Sequence, residues 1–261
     1  MVDDSPFDLS TLAETRGLAG LEYQPEIDST NDWALRLCAD AERQLPLLVL
    51  AARQSAGRGR GANRWWGAAG ALTFSLVVDG EGMGLPSDRW PRVALITGLA
   101  VCEALQASFP EGIFSLKWPN DVYLQERKIC GILVEVPSQT RGRMVIGVGI
   151  NVNNSFTAAP EELQTIATSL ADAAGGAFDL SETLGSVAAR ILQRITDFAD
   201  PTHDFAADFR RYCFLTGRMV RITLGQEIVA GQCQGIADDG SLLIHTATGL
   251  RSVVSGTVSF E

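Results

Sequence analysis

Two apolar runs, residues 47–52 and 71–78, stand on either side of a segment, 53–70, that is rich in glycine and arginine and fits neither helix nor strand periodicity. Each run reads as a buried strand, so the chain is expected to fold locally as strand, long loop, strand. Before the first run, residues 31–43 place Trp33, Leu35, Leu37 and Cys38 behind the capping candidates Ser29, Thr30 and Asn31, the start of a helix. Residues 89–108 carry apolar or small side chains at the spacing of an amphipathic helix lying on a sheet, closed by Pro110 and Gly112. Strand-like runs follow at 113–118, 122–125, 129–136 and 144–150, broken at Pro119 and Asn120 and again over 137–142. They predict a mixed sheet with hairpins.

Residues 160–213 read as helical, most clearly at Leu184, Val187, Ala188, Ile191, Leu192, Ile195 and Phe198, with a break at Pro201. After Gly217 the texture changes to short alternating runs at 219–224, 227–233, 241–246 and 250–254. Turn signals stand at Gly225, 238–240 and 248–249, so a small all-β domain is expected. The fold class is therefore α+β: a mixed sheet with flanking helices over 1–214 and a small β domain over 215–261.

Composition narrows the function. With 46% hydrophobic and 20% charged residues the chain is globular, and its net charge of -10 argues against nucleic acid or anionic membrane as a primary partner. Any anion site must be locally basic. The longest mostly apolar stretch, 93–105, contains Glu103 and falls short of the roughly 20 residues of a membrane span. The start, MVDDSPFDLS, is acidic where a secretory signal would be basic, so a cytoplasmic protein is expected. Cysteines 38, 102, 130, 213 and 233 form no C-x-x-C pair and read as reduced thiols; His203 and His245 are isolated, so no protein-held metal is expected. A Ser-His-Asp hydrolase is nearly excluded.

Residues 53–64 hold Arg53, Arg58, Arg60 and Arg64 with no acidic residue. Gly57, Gly59 and Gly61 let the backbone present N–H groups while the arginines offer forked donors for phosphate or carboxylate; a solvated loop is the plain alternative. Gly57-x-Gly59-x-x-Ala62 mimics the dinucleotide fingerprint, but no helix opens after it, and Gly147-x-Gly149 is too short to count. In 115–135, Lys117, Asn120, Asp121 and Lys128 gather around the Pro119 turn, either as a site or as a hairpin with surface lysines. Trp65 and Trp118 read as core or loop anchors as readily as ligand stackers. Ser29, Thr30 and Asn31 read as a helix cap or as the seat of a polar ligand head.

Together D-S-T-N at 28–31, Q-x-x-G-R-G-R at 54–60, K-W-P-N-D at 117–121, R-K-I-C-G-I-L-V-E at 127–135 and G-x-G-I-N at 147–151 resemble biotin protein ligase in order and spacing, and a small β-domain ending in S-G-T-V-S follows. The resemblance implies a catalytic fold like that of class II aminoacyl-tRNA synthetases and a C-terminal SH3-like β-barrel. It implies that biotin and ATP, assisted by Mg²⁺, give biotinyl-5'-adenylate, and that the biotinyl group passes to one lysine of a biotin carboxyl carrier protein, an acetyl-CoA carboxylase subunit or a related carboxylase. Only about 27 residues precede Asp28, so the enzyme-only type without a DNA-binding domain is expected, as monomer or homodimer.

Residue by residue, the resemblance implies that Ser29, Thr30, Asn31, Gln54, Gly57, Arg58, Gly59, Arg60, Lys128, Gly131 and Leu133 hold biotin. Arg58, Arg60, Trp65, Lys117, Asn120 and Asn151 hold the nucleotide. Arg58, Arg60, Lys117 and Lys128 carry the electrostatics of the reaction, and Asp121 engages the incoming lysine. Many relatives read G-R-G-R-R-G where this chain has Gly61 in place of the third arginine. The rivals are a lipoate or octanoate ligase or transferase of related fold, and a catalytically silent ligand-binding protein.

Overall fold

The computed structural model describes residues 5–140, 142–157 and 159–260. The acidic start at 1–4, Arg141, Ala158 and Glu261 lie outside the described residues. In chain order α1 (Leu9–Ala13), β1 (Gly20–Ile27), α2 (Thr30–Cys38), β2 (Leu47–Gln54) and β3 (Leu72–Asp79) lead to α3 (Val93–Ser108). Then come β4 (Phe114–Lys117), β5 (Asp121–Leu124), β6 (Arg127–Glu135) and β7 (Arg143–Ile150). The helices α4 (Glu161–Gln164), α5 (Leu170–Ala174), α6 (Leu180–Ala199) and α7 (Phe205–Tyr212) precede β8 (Met219–Leu224), β9 (Glu227–Ile236), β10 (Leu242–Thr246), β11 (Gly249–Val253) and β12 (Thr257–Phe260).

The first seven strands form one sheet in the order β1-β2-β3-β7-β6-β5-β4. Only β1 and β2 run parallel; every other neighbouring pair is antiparallel, so the sheet is mixed, as the sequence predicts. Helices cover both faces, which explains why the central strands show no polar alternation. On one face α2 packs Ala34 and Cys38 onto Leu47, Val49, Val77 and Val145. On the other, Leu48, Leu50, Leu76 and Ile146 join α3 and α6 in the main core.

Helix α3 departs from its expected amphipathic character. Val93, the run from Leu95 to Cys102, Ala104 and Leu105 are all buried, because α6 closes over the side turned away from the sheet. Glu103, the one charged residue of α3, meets Arg194 and Arg190 of α6. The clear period read at 184–198 is the buried face of α6.

The last five strands form a separate antiparallel sheet ordered β11-β10-β9-β8-β12. It is consistent with the expected SH3-like module, and among the described residues its edge strands β11 and β12 do not pair with each other. At Gly256, φ is 142°, and a Cβ there would lie 2.6 Å from Ile222 Cγ2, so β12 starts close against β8. The module shares the main core and is pinned to the larger one: Trp118 Nε1 donates to Gly240 O at 3.0 Å, and Phe214 packs between Tyr123 and Phe260 at 5.0 Å from each ring.

Candidate functional site

The cavity follows from a change of side-chain size along the α2 face of the sheet. Under α2 that face carries Val49, Val77 and Val145; beyond the helix N-terminus the same face carries Ser75, Gly147, Gly149 and Gly131. Large side chains give way to none, and a cavity of about 890 Å³ opens over the glycines. All the residues to which the resemblance gives a role except Gly57 line it, whereas Arg53 pairs with Glu26 instead. Gly57 is buried beneath, where a Cβ would lie 2.9 Å from Trp65 O, and its own carbonyl accepts Trp65 N–H at 3.0 Å.

One end is a chain of neutral polar groups. Ser29 caps α2, accepting Asp32 N–H, and Thr30 N–H donates to Gln54 Oε1 at 2.7 Å. The oxygen of Gln54 being so engaged, its amide nitrogen is left as a donor. Ser75, buried in β3, lies 2.9 Å from Thr30 Oγ1 and donates to Asn31 Oδ1 at 2.7 Å. Asn31 spends its amide hydrogens on Glu135 Oε2 at 2.8 Å and Leu133 O at 3.3 Å, and sits on Gly147, where a Cβ would be 1.9 Å from its oxygen. Asn31 lines the cavity while its amide atoms are engaged by protein groups.

The other end is cationic. The hairpin β4–β5 sets Lys117 opposite Asp121, and Lys128 Nζ lies 2.6 Å from Asp121 Oδ1. A β-bulge aims Lys128: Val122 pairs with Cys130 but Tyr123 pairs with Lys128, so Ile129 is the extra residue. Ile129 and Cys130 both enter the core, and Lys128 emerges beside Gly131 on the cavity side. The Lys117 ammonium lies 5.5 Å from the Tyr123 ring and 5.2 Å from Phe260 of the C-terminal sheet. Burial pulls its pKa below the usual lysine value, Lys128 adds to this, and Asp121 opposes it. Asn120 donates to Ile132 O at 2.7 Å, and Asn151 accepts from Asn154 at 3.1 Å.

Residues 57–65 fold back as a small hairpin over the cavity. Arg58 bridges Arg64, Gly59 N–H donates to Asn63 O at 2.9 Å, and Gly61 takes a φ of 66° at the tip. The tip reaches the C-terminal module through Arg60 Nη1, which donates to Gly256 O at 2.8 Å. The Trp65 ring lies on Gly131 and Gly149, and its Nε1 is buried without a partner. Arg58 is not with the other cations. It pairs with Asp32 at 2.5 Å and Glu135 at 2.8 Å, seven residues along β6 from Lys128, roughly 20 Å of strand.

No motif marks Ser75 or Asp32, which bond Asn31 and Arg58, nor Thr223, Leu224 and Gly225, which bring the C-terminal sheet into the cavity wall, whereas Glu135 closes the R-K-I-C-G-I-L-V-E motif. The one mark of Ser75 in the sequence is a hydroxyl inside the apolar run 71–78. The stretch Ser255–Val258, also in the wall, lies within the S-G-T-V-S motif.

Residues 23–151 match the model of the Biotin/lipoate A/B protein ligase family, which is the class that this sheet and glycine-floored cavity define. Residues 215–261 match the Biotin protein ligase C terminal domain. A biotin--[acetyl-CoA-carboxylase] ligase of Mycobacterium tuberculosis is 33% identical over 242 residues, 91% of this chain and 87% of that protein. That of Paracoccus denitrificans is 30% identical over 245 residues, covering 89% and 97%. The biotin protein ligase from Aquifex aeolicus solved in complex with biotin and ATP superposes with a TM-score of 0.79 at 32% identity, covering 94% of this chain and 99% of that one. The chain belongs to the biotin protein ligase family.

Proposed function

We propose that this protein activates biotin with ATP and transfers the biotinyl group to one lysine of a biotin carboxyl carrier protein, an acetyl-CoA carboxylase subunit or a related carboxylase, in the cytoplasm. The observation that carries the reading is the polarity of this cavity: a neutral hydrogen-bonding end at Ser29, Thr30 and Gln54, and a cationic end at Arg60, Lys117 and Lys128. Biotin has that order of groups, a polar head and a carboxylate at the end of an apolar chain. Membership in a class shared with lipoate ligases does not separate the acids. The amide nitrogen of Gln54, left as a donor because Thr30 engages its oxygen, favours a polar head, since a lipoyl ring would leave it unpaired.

In the first step a carboxylate oxygen of biotin attacks the α-phosphorus, and the bond from that phosphorus to the bridging oxygen breaks to release pyrophosphate. Two anions meet, so the work is neutralisation and alignment. Among the described residues Arg60 and Lys117 take part in no ion pair, which leaves them for the phosphates; Lys128 holds the carboxylate. Trp65, Asn120 and Asn151 flank the nucleotide. In the second step the carrier amine attacks the acyl carbon, the bond from that carbon to the phosphate oxygen breaks, AMP leaves, and Asp121 takes or directs the proton of the amine. The hairpin 57–65 keeps water from the mixed anhydride.

Mg²⁺ fits as part of the substrate. Among the described residues no three His, Cys, Asp or Glu side chains converge, and the carboxylates nearest the cavity are paired with Arg58 and Lys128, so the ion's ligands are those of its ATP complex. In this reading residues 1–214 form the biotin- and ATP-binding domain and 215–261 a module closing the cavity. Among the described residues no helix is long and apolar enough to cross a membrane. The test is incubation with biotin, MgATP and a purified carrier domain, read by intact mass. One biotinyl group on one lysine is expected; an unmodified carrier alongside an active control ligase contradicts the proposal.

A further inference from the structure

Glu135 is placed where no substrate atom is required, yet three donors converge on it. Arg58 Nη2 donates to its Oε1 at 2.8 Å, Arg58 Nη1 to its Oε2 at 3.1 Å, and Asn31 Nδ2 to the same Oε2 at 2.8 Å. Arg58 Nη1 also meets Asp32 Oδ1 at 2.5 Å. Arg58 belongs to the base of the 57–65 hairpin, and Asn31 and Asp32 to the first turn of α2, whose start lines the polar end of the cavity. One carboxylate at the end of β6 thus ties the hairpin, the ligand-binding turn and the sheet together.

The carboxylate is chemically required. It accepts on both oxygens and offers no hydrogen, whereas a glutamine would turn an N–H toward Arg58 or toward Asn31, donor against donor. Asn31 cannot adapt, because its oxygen accepts from Ser75 and its amide lies over Gly147, whose missing side chain leaves that space. Asp32 alone cannot replace the hub, since it reaches one arginine nitrogen and not Asn31.

We propose that Glu135 is a positioning residue that couples closure of the arginine-glycine hairpin to the biotin-binding start of α2, so that acid binding and retention of the adenylate depend on it without contact. This rests on the ligase reading for its substrate and on geometry for the coupling. The test compares wild type, Glu135→Gln, Arg58→Ala and the double variant by two readouts. In ligand-free protein, trypsin cleavage at Arg58, Arg60 and Arg64 reports the hairpin whatever the substrate. With biotin and MgATP, KM and the release rate of the adenylate report the site.

Glu135→Gln is expected to speed cleavage at Arg60 and Arg64 about tenfold, and to raise KM for biotin and adenylate release by a similar factor, more than it lowers kcat. Arg58→Ala should do the same and the double variant less than the sum of the two, because both break the Arg58–Glu135 pair. Asp32→Asn should show a smaller effect in the same direction. A Glu135→Gln hairpin as protected as wild type, or effects of Glu135→Gln and Arg58→Ala that simply add, would overturn the proposal. If no acid is activated, the ligase reading fails while cleavage still decides the coupling.

Discussion

Gly131 and Gly149 face each other across β6 and β7, and the indole of Trp65 rests on both. A Cβ at Gly149 would lie 2.4 Å from Trp65 Cε2, and one at Gly131 3.3 Å from Cζ3. The glycines make the floor on which the proposed nucleotide-flanking ring can lie flat, and Gly147 does the same for Asn31.

Gly149→Ala is therefore expected to lift Trp65 from the sheet and raise KM for ATP. Gly147→Ala is expected to displace Asn31 and raise KM for biotin. Each overpacks a closed contact and should cost about 1–3 kcal/mol in urea unfolding. The two variants separate the substrates: equal effects of each on both KM values would contradict the assignment of the two ends.

Lys117 gives a pH prediction with a definite sign. Its folded pKa is lowered from 10.5 by burial, so between the folded value and 10.5 the unfolded chain binds more protons and stability rises with pH. Below that window the burial cost is fully present. Lys117→Met should then unfold no more easily than wild type at pH 7 while losing adenylation, and its relative advantage should shrink as pH approaches 10. Urea melts at the two pH values check this, and an advantage that grows with pH contradicts it.

Lys128→Met removes the proposed carboxylate partner and leaves Asp121 without its 2.6 Å ion pair. Adenylate formation at saturating substrates should fall by about 10²–10³, the size of a lost transition-state charge contact. Rapid-quench measurement of adenylate formation reads the step directly. Asp121→Asn should spare that step more than transfer to the carrier.

Arg60→Ala cuts the link from the hairpin tip to Gly256 and removes a phosphate partner. Free adenylate should accumulate in solution, with a melting temperature close to wild type because the side chain is exposed. Retention equal to wild type would show that Arg60 does not close the cavity.

Most of the sheet was legible in the sequence because its strands are apolar runs with turn residues between them. Strand β1 was not: Glu22, Gln24, Pro25 and Glu26 make it polar, and only parallel pairing with β2 orders it. Short α1 and β12 were also missed, each too brief to show a period. The bulge at Ile129 leaves no mark in composition, yet it decides that Lys128 faces the cavity. The motif residues gather at one cavity, but the motifs do not show that Asn31 and Arg58 bind protein groups; that depends on Glu135 and Ser75, which come from other strands.

The most direct measurement is acid-dependent exchange of labelled pyrophosphate into ATP with Mg²⁺ and no carrier, comparing biotin, lipoate and octanoate on one preparation. Exchange with biotin alone is the predicted result. Exchange driven by lipoate or octanoate and not by biotin, or by none of the three, would contradict the assignment of the neutral end of the cavity to the biotin head and of its cationic end to adenylation.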